Sequence, residues 1–386
     1  MTIAAEIVAA ITGASIAYCL LCTWAALRFA SQSKRALTGV ADLPRVSILK
    51  PLKGTDPEMY ESFRSHCVQD YPEYEILFGV SDANDPAAAL VQQLQHEFPQ
   101  RAIRLVLCEK NLGANGKVSC LAQLAAVARY EFLLVNDSDI RVQPNYLRTV
   151  LTELQQPNTG LVTCLYRGIA AGTIPSRLES LGISTDFVPG VLTARLIERG
   201  LRFGLGSTLA FRRQDLEAIG GFEAIVDYLA DDYELGERIS QQGRKIVLSK
   251  AVVETFLPSY SFTEFLSHQL RWARTIRVSR PGGYAGLVIT YTLPWAILCV
   301  VLARGAGWAW GLLVAALLIR VVMAVTDGVT VLHDKSVLPS LWLLPVRDLL
   351  APMIWIGGLF GRKILWRGEK FELQNGKLKR STGSTN

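Results

Sequence analysis

Apolar segments long enough to cross a lipid bilayer constrain this fold more than any other feature of the sequence. Ile7 to Leu27 is a run of 21 residues without a charge, and Tyr284 to Ala303 is a second run of 20. Gly305 to Thr326 contains one basic residue, Arg320. About 20 helical residues, each rising about 1.5 Å, cross a hydrocarbon core of roughly 30 Å. The sequence therefore predicts an amino-terminal anchor over residues 1–30 and a later hairpin of two spans around Arg304.

The composition excludes several classes of protein. Half of the residues are hydrophobic (50%) and only 19% are charged, which is incompatible with a disordered chain. The net charge of +6 is weak for a nucleic-acid binder, so no nucleic-acid partner is expected. The seven cysteines are odd in number and follow no metal or disulfide spacing, which indicates reduced thiols. Cys19 and Cys22 form a C-x-x-C pair inside an apolar run, where redox chemistry is not expected.

The charges around the first apolar run predict its orientation. No Lys or Arg precedes the run, so a cleaved signal peptide is not indicated. The basic residues that follow it place the amino terminus outside and the next domain in the cytoplasm by the positive-inside rule. We therefore expect a multi-pass protein of the cell (inner) membrane with a cytoplasmic domain. These basic residues are Arg28, Lys34, Arg35, Arg45 and Lys50.

Residues 45–280 have the pattern of a soluble α/β domain. Short β-branched runs alternate with helical runs, which predicts βαβ units and a mostly parallel sheet. Ligands of such sheets bind beyond the carboxyl ends of the strands. Strands are expected at Val46–Lys50, Glu75–Ser81, Ile103–Cys108, Glu131–Asn136 and Gly160–Leu165, and helices at Glu58–Gln69, Pro86–Phe98, Gly116–Arg129 and Pro144–Leu154.

The membrane region 284–360 ends in an unusual apolar stretch, Val337–Phe360. Arg347 and Asp348 lie near its middle, and three prolines punctuate it. A charge at the bilayer centre is costly, so two half-elements fit better than one clean span. The basic tail at 361–386 would lie outside if this stretch crossed fully, against the positive-inside rule. We expect three full spans, one re-entrant element and a carboxyl terminus on the catalytic side, with a third carboxyl-terminal span as the alternative.

Carboxylates follow two of the predicted strands. Asp82 ends one strand, and Asp137 and Asp139 follow another at positions i and i+2. Oxygen-only ligands of this kind suit Mg²⁺ or Mn²⁺ bound to a diphosphate. The alternative is an ordinary Asp-rich turn, since Asp is a common turn former.

A second pair of acids, Asp231 and Asp232, precedes a helical pattern. The pair could simply favour the positive amino terminus of that helix. The functional interpretation is a general base, because adjacent carboxylates raise each other's pKa towards neutrality.

The segment from Ser267 to Arg274 combines His268, Arg271 and Trp272. One interpretation is an amphipathic helix whose Arg and Trp lie at the headgroup level. The other is a cationic and aromatic clamp over a diphosphate leaving group and the acceptor.

Between these motifs, Ile169–Gly206 mixes apolar residues with arginines. This pattern indicates either a helix at the membrane surface, where a lipid acceptor would meet it, or an ordinary helix covering the domain.

The order of these motifs, taken together with the first strand ending in Lys50-Pro51-Leu52-Lys53-Gly54, resembles that of inverting glycosyltransferases of the GT-A fold. The resemblance is to the ceramide glucosyltransferase family, glycosyltransferase family 21, including bacterial homologues of hopanoid biosynthesis. It extends over nearly the whole chain, with the anchor and the later spans. It implies a Rossmann-like nucleotide-sugar domain with membrane helices at both ends.

The resemblance also implies roles for single residues. Asp232 would be the catalytic base, supported by Asp231 and by the (Gln/Arg)-x-x-Arg-Trp motif, in which this chain has His at the first position. Asp137 and Asp139 would hold Mg²⁺ or Mn²⁺. The motif residues are His268, Arg271 and Trp272, and the nucleotide-sugar contacts would be Pro51, Lys53, Asp82, Lys117 and Asp137.

The expected activity is transfer of glucose or a related hexose from a UDP-sugar to a lipid hydroxyl, with inversion. Ceramide is the expected acceptor. The alternative is a hopanoid such as bacteriohopanetetrol, glycosylated from UDP-N-acetylglucosamine. A polysaccharide synthase is less favoured, because about four apolar segments are few for a polymer channel. A non-catalytic scaffold is disfavoured by the complete set of carboxylates.

Overall fold

The computed structural model of the protein describes residues 2–33, 43–366 and 369–380. These residues form two compact units. The helical unit contains residues 2–33, 170–199 and 259–361. The sheet unit contains residues 43–169, 200–258, 362–366 and 369–380. The expected domain boundaries at 45 and 280 differ from this division, because residues 170–199 and 259–280 group with the helices.

Strands occur throughout the sheet unit. They are β1 Val46–Pro51, β2 Tyr74–Val80, β3 Ala102–Leu107, β4 Phe132–Val135, β5 Ile140–Arg141, β6 Thr159–Ile169, β7 Leu209–Arg212, β8 Lys245–Phe256, β9 Lys363–Trp366, β10 Glu369–Gln374 and β11 Lys377–Arg380.

The α-helices occur in both units. They are α1 Ile3–Ser33, α2 Met59–Cys67, α3 Ala87–Glu97, α4 Gly116–Val127, α5 Tyr146–Leu154, α6 Ile174–Gly182, α7 Val188–Ile197, α8 Arg213–Ala218, α9 Asp231–Gln241, α10 Phe262–Ser279, α11 Pro281–Gly286, α12 Thr292–Leu302, α13 Gly307–Val325 and α14 Leu344–Leu359.

An eight-stranded mixed sheet in the order β3-β2-β1-β4-β7-β6-β8-β5 forms the centre of the sheet unit. β1 pairs in parallel with β2 and with β4, so the carboxyl ends of these three strands share one edge. β7 runs antiparallel to β4 and β6. Leu133, Leu134 and Val135 are fully buried, as expected for a strand covered on both faces. The expected βαβ order is confirmed, whereas β5, β7 and β8 were not expected.

The helical unit contains the apolar segments. Among the residues that the structure describes, three helical stretches are long and apolar enough to cross a membrane: 3–32, 307–331 and 335–359. A fourth is possible if the pair 281–290 and 292–302, bent by 49°, forms one span. Arg304 and Gly305 make the expected turn in the left-handed region, with φ of 53° and 74°.

The position of the irregularity differs from the expectation. The segment expected to break, Val337–Phe360, is helical without an intervening loop, because a 3₁₀-helix at Lys335–Leu343 continues directly into α14. The bend occurs instead in an earlier stretch, at Tyr291 between the helical segments 281–290 and 292–302. Asp327, which directly follows the expected span Gly305–Thr326, is fully buried in a π-helical turn that extends α13.

The carboxyl-terminal segment also differs from the expectation of a basic tail. β9, β10 and β11 form an antiparallel sheet in the order β11-β10-β9, which we call the C-terminal sheet. It belongs to the sheet unit. Lys34 and Arg35, used above for orientation, and Arg367 and Ser384 in the tail lie outside the described residues.

Candidate active site

The turn after β4 carries the Asp137-Ser138-Asp139 motif, and side chains from several segments hold it. Asn136, the buried residue before it, donates hydrogen bonds to the carbonyl of Ser207 at 2.7 Å and to the hydroxyl of Tyr146 at 3.0 Å. The hydroxyl of Ser138 donates to the carboxylate of Asp56. The motif is therefore fixed from both sides rather than presented on a free turn.

Two lysines, the fully buried Lys50 and the half-buried Lys117, flank Asp137. The ammonium of Lys50 donates to the main-chain oxygen of Asp137 at 3.0 Å, and the ammonium of Lys117 lies 2.8 Å from its Oδ1. Lys117 also lies 3.1 Å from Oδ2 of Asp231, so one ammonium joins acids from two segments. Burial alone would lower the pKa of Lys117, but the Asp137 and Asp231 carboxylates raise it overall, so this lysine stays cationic.

The start of α4 explains how Lys117 reaches these acids. Asn115 is the N-cap of α4, and its side chain accepts a hydrogen bond from the amide of Val118 at 3.2 Å. Its side-chain nitrogen donates to the carbonyl of Tyr228 at 2.7 Å, in the segment just before Asp231. The same asparagine therefore begins the helix of Lys117 and links it to the acid pair.

Asp232 is oriented by two main-chain amides. Its Oδ2 accepts a hydrogen bond from the amide of Gly206 at 2.7 Å, and its Oδ1 accepts one from the amide of Tyr233 at 2.8 Å. Burial raises the pKa of Asp232 to about 6, and the neighbouring Asp231 carboxylate contributes to this rise. A fixed carboxylate with this pKa suits a general base at neutral pH.

Gly206 separates Asp232 from Asp137. A Cβ at Gly206 would lie 3.1 Å from Oδ2 of Asp137 and 3.4 Å from Oδ2 of Asp232. Both carboxylates therefore lie against the same glycine, and a side chain at this position would crowd them. About 40% of the Asp137 side chain is exposed, so this carboxylate is accessible to a ligand.

Two further ionisable groups are Asp139, the half-buried last residue of the motif, and the fully buried Lys50. The Asp139 carboxylate accepts a hydrogen bond from the hydroxyl of Thr255. Burial, with a contribution from the Asp137 carboxylate, raises the pKa of Asp139 to about 6. Burial lowers the pKa of Lys50 to about 7, although both aspartates oppose that shift. The charges of this cluster are only partly compensated.

The donor set is compatible with one divalent cation shared with a ligand. Within residues 2–33, 43–366 and 369–380, no group of three or more His, Cys, Asp or Glu side chains is arranged to hold a metal ion. Mg²⁺, however, is usually bound by one or two carboxylates together with substrate phosphates. Asp137 and Asp139 meet that requirement, and the partly exposed Asp137 side chain is accessible to such a ligand.

Three residues expected at the nucleotide site have other surroundings. Asp82 is exposed, and its Oδ1 accepts a hydrogen bond from the amide of Asn84 at 2.8 Å. The ammonium of Lys53 lies 2.6 Å from the carboxylate of Glu369 in β10. Pro51 ends β1 and is half-buried. The structure brings together Asp137, Lys117, Asp231 and Asp232, but it does not place Asp82 or Lys53 in contact with them.

Sequence reasoning missed several residues of the site. Lys50 was considered only as a residue of the first-strand motif and as a basic residue after the first span, although a lysine inside a mostly apolar strand is itself a signal of a buried charge. Gly206 lies in Gly204-Leu205-Gly206, a spacing that could have marked a close approach of the main chain. Asp85 accepts from the amide of Gly54 at 2.9 Å and so links the ends of β1 and β2. Thr255 gave no signal in the sequence.

The expected clamp residues lie on α10 in the helical unit. His268 and Trp272 are aromatic neighbours with ring centroids 5.4 Å apart, and Trp272 lies 5.9 Å from the ring of Phe187. His268 Nδ1 is 3.1 Å from the buried carboxylate of Glu179 on α6. Arg271 is half-buried on the same helix. Glu179 was not identified from the sequence.

A chain of buried polar groups continues from this helix. Gln269 donates to Glu179 at 2.6 Å and accepts from Arg347 at 2.7 Å. Arg347 donates to Asp186 at 2.9 Å, and Arg320 lies 3.1 Å from the same carboxylate.

Arg320 completes this chain at α14. It donates through Nε to Asp348 at 2.9 Å and through Nη1 to the carbonyl of Thr185 at 3.0 Å. Arg347 and Asp348 are therefore each buried against a charge from another helix. The expectation that these two residues interrupt the last helix was wrong because the partners compensate their charges.

Comparison with known proteins agrees with this architecture. The Glycosyl transferase family 21 profile matches residues 7–379. Ceramide glucosyltransferase 3 of Caenorhabditis elegans is 25% identical over 368 residues, covering 86% of this chain and 73% of the nematode protein. Ceramide glucosyltransferase 1 of the same nematode is 25% identical over 362 residues, covering 89% and 74%.

The fold is also found among solved structures. The mannosyltransferase PcManGT from Pyrobaculum calidifontis, solved with GDP-Man and Mn²⁺, aligns with a TM-score of 0.57 and 20% identity, covering 92% of this chain and 97% of that one. This likeness shows the GT-A fold, and the apolar helices indicate association with a membrane. The chain belongs to glycosyltransferase family 21 and is a nucleotide-sugar-dependent glycosyltransferase.

Proposed function

We propose that this chain transfers glucose, or a related hexose, from a UDP-sugar to the hydroxyl of a membrane lipid with inversion at the anomeric carbon. The observation that carries the proposal is the approach of two carboxylates, Asp137 and Asp232, to the same glycine, Gly206. One of them belongs to the motif expected at the donor diphosphate, and the other has the geometry of a base. Two carboxylates this close together can act on the leaving group and on the attacking hydroxyl at one bound donor.

Asp232 is the proposed base. Its Oδ2 accepts the proton of the lipid hydroxyl as the hydroxyl oxygen attacks the anomeric carbon and the bond to UDP breaks. The amides of Gly206 and Tyr233 hold the carboxylate during this step. A single displacement from the face opposite UDP converts an α-linked donor into a β-glycoside.

Asp137 and Asp139 would hold Mg²⁺ or Mn²⁺ together with the donor. When bound, such a cation neutralises charge on the departing UDP. Lys117 keeps Asp137 and Asp231 close together by binding both. Lys50 donates a hydrogen bond to the carbonyl of Asp137 and so fixes the main chain of the motif.

Ceramide is the proposed acceptor, because the curated relatives that match most of the chain are named ceramide glucosyltransferases. A hopanoid, with UDP-N-acetylglucosamine as donor, is the alternative from the bacterial branch of the resemblance. We place the sheet unit in the cytoplasm on the basis of the basic residues that follow the first span.

The C-terminal sheet bears on the topology. The amide of Leu378 donates to the carbonyl of Asp227 at 2.7 Å, so the chain before residue 259 and the chain after residue 361 belong to one folded unit. Both ends of the intervening helices therefore lie on one side of the membrane, which requires an even number of crossings. Because three helical stretches lie between them, one stretch does not cross fully. The 49° bend makes 281–302 the better candidate than 335–359.

One assay tests the proposed activity. Membranes containing the protein are incubated with labelled UDP-glucose or UDP-N-acetylglucosamine, each with ceramide or a hopanoid acceptor, and the glycolipid is identified. We expect β-glucosylceramide. A glycosylated hopanoid would establish the alternative, and a water-soluble polymer would indicate a polysaccharide synthase. An Asp232→Asn preparation at equal abundance is the control for endogenous enzymes.

A further inference from the structure

The C-terminal sheet lies against the chain segment that leads into the acid pair. The amide of Leu378 donates to the carbonyl of Asp227 at 2.7 Å, and the amide of Leu229 donates to the carbonyl of Gly376 at 3.2 Å. Tyr228 and Lys377 form an antiparallel bridge between these two hydrogen bonds. The free edge of β11 is thus covered by residues 227–229, two residues before Asp231.

Tyr228, at the centre of this contact, is held between two cations. The ammonium of Lys377 lies 5.2 Å from the centroid of its ring, and the guanidinium of Arg238 on α9 lies 5.3 Å from it. A cation within about 6 Å of an aromatic face is attracted by the ring quadrupole. The ring therefore joins β11 to the helix that begins with Asp231 and Asp232.

The same contact extends to Lys117. Oδ1 of Asp227 accepts a hydrogen bond from the amide of Ala114 at 2.9 Å, and the amide of Asn115 donates to the carbonyl of Val226 at 2.8 Å. Residues 226–228 therefore lie between the C-terminal sheet and the N-cap of α4. On its other side, Glu369 of β10 lies 2.6 Å from the ammonium of Lys53, beyond the end of β1.

We infer that the C-terminal sheet is a positioning element of the active site: by pairing with residues 227–229 it sets the placement of Asp231 and Asp232. Strand pairing along an edge fixes a main chain by directional hydrogen bonds, here in addition to those that residues 114 and 115 donate to the same segment. The inference rests on the proposed function where turnover is the readout. The pairing itself is a main-chain contact, and the cation of Lys377 adds a side-chain contact with Tyr228.

Leu378→Pro tests this inference because proline lacks the amide that donates to Asp227. We expect about a tenfold lower kcat, a donor KM within about twofold of the wild-type value, and faster hydrogen exchange in peptides containing Leu229 and Gly206. The amide of Gly206 binds the Asp232 carboxylate, so its exchange reports the position of the base without any assay of activity. A role in global folding alone would lower the melting temperature without this local change.

Lys377→Met provides a milder variant should the proline variant not fold. We expect about a two- to fivefold lower kcat, recovered in Lys377→Arg, which retains the cation. Lys379→Met is the matched control, since it removes the same charge from an exposed lysine on the same strand.

Wild-type kcat and wild-type exchange at Gly206 in the folded Leu378→Pro variant, or in Lys377→Met if the former does not fold, would overturn the inference. Exchange is measured without substrate, so a wild-type chain that transferred no sugar would contradict the proposed function alone.

Discussion

The helical and sheet units both bury charged side chains, but they compensate them to different degrees. Arg320 and Arg347 each contact a carboxylate and a further oxygen acceptor, so the chain that includes Asp186 and Asp348 is closely paired. In the sheet unit, Asp137 is 40% exposed, and burial raises the pKa of Asp139 and Asp232 to about 6. The first arrangement stabilises helix packing, whereas the second leaves acids available for a cation, a diphosphate and a proton.

The strongest test of this comparison is removal of the base. We expect Asp232→Asn to lower turnover ~10²–10⁴-fold, the usual contribution of a positioned acid or base, while donor binding survives. Initial rates and UDP affinity are measured on the same preparation. Glu237→Gln, an equivalent change on the same helix, is the control. Near-normal turnover of the Asn variant would exclude Asp232 and make Asp231 the next candidate.

In the helical unit, removing a charge is expected to lower folding stability and to change turnover little. Arg320→Met leaves the buried Asp348 carboxylate without this partner, which costs about 3–5 kcal/mol of folding stability. Thermal unfolding in detergent measures the loss, and turnover of the protein that remains folded should change little. Arg304→Met, an exposed arginine in a turn of the same unit, should stay within about 0.5 kcal/mol of the wild type. If Arg320→Met unfolded at the wild-type temperature, this pairing would not stabilise the unit.

Removing the divalent cation tests whether the activity depends on a metal ion bound by the acid cluster. Chelation should lower activity on the order of 10²-fold, since charge stabilisation by a metal contributes several kcal/mol. Mg²⁺ or Mn²⁺ should restore it, and the melting temperature should barely change. Full activity in chelator, with bound metal shown to be absent, would leave Asp137 and Asp139 a purely hydrogen-bonding role.

The two units also differ in how far the sequence predicted them. The βαβ order and the acids after β4 follow from local periodicity, so they were foreseen. The pairing of Arg347 with Asp186 joins residues 161 positions apart, and no local pattern contains it. Glu179 was missed for the same reason. The C-terminal sheet was missed although its signal is local, because Asn375-Gly376 is a typical two-residue hairpin turn between β10 and β11. For Asp82 a local pattern predicted too much, because its position at the end of a strand did not bring it into contact with Asp137.

Cysteine labelling tests on which side of the membrane the carboxyl terminus lies. All seven cysteines are buried, so a cysteine introduced at Ser384 can be labelled with little background. In intact cells it should resist an impermeant reagent and react after permeabilisation, because the C-terminal sheet belongs to the sheet unit, which we propose to be cytoplasmic. Reaction in intact cells would contradict an even number of crossings and would indicate that 281–302 crosses fully.

The smallest expected effect is a shift in the pH dependence of kcat/KM when a neighbour of Asp232 is changed. Asp232 must be ionised to accept a proton, and its pKa is raised to about 6, so kcat/KM should be level near pH 7 and fall about tenfold per unit below pH 6. The Asp231 carboxylate contributes to the raised pKa, so Asp231→Asn should move this acid limb to lower pH by less than about one unit. Glu237→Gln should leave the limb in place. A limb that moved to higher pH in Asp231→Asn would mean that another group, such as Asp139, governs it. The buried pairs of the helical unit should contribute nothing to this profile, because Arg320 stays charged throughout the range.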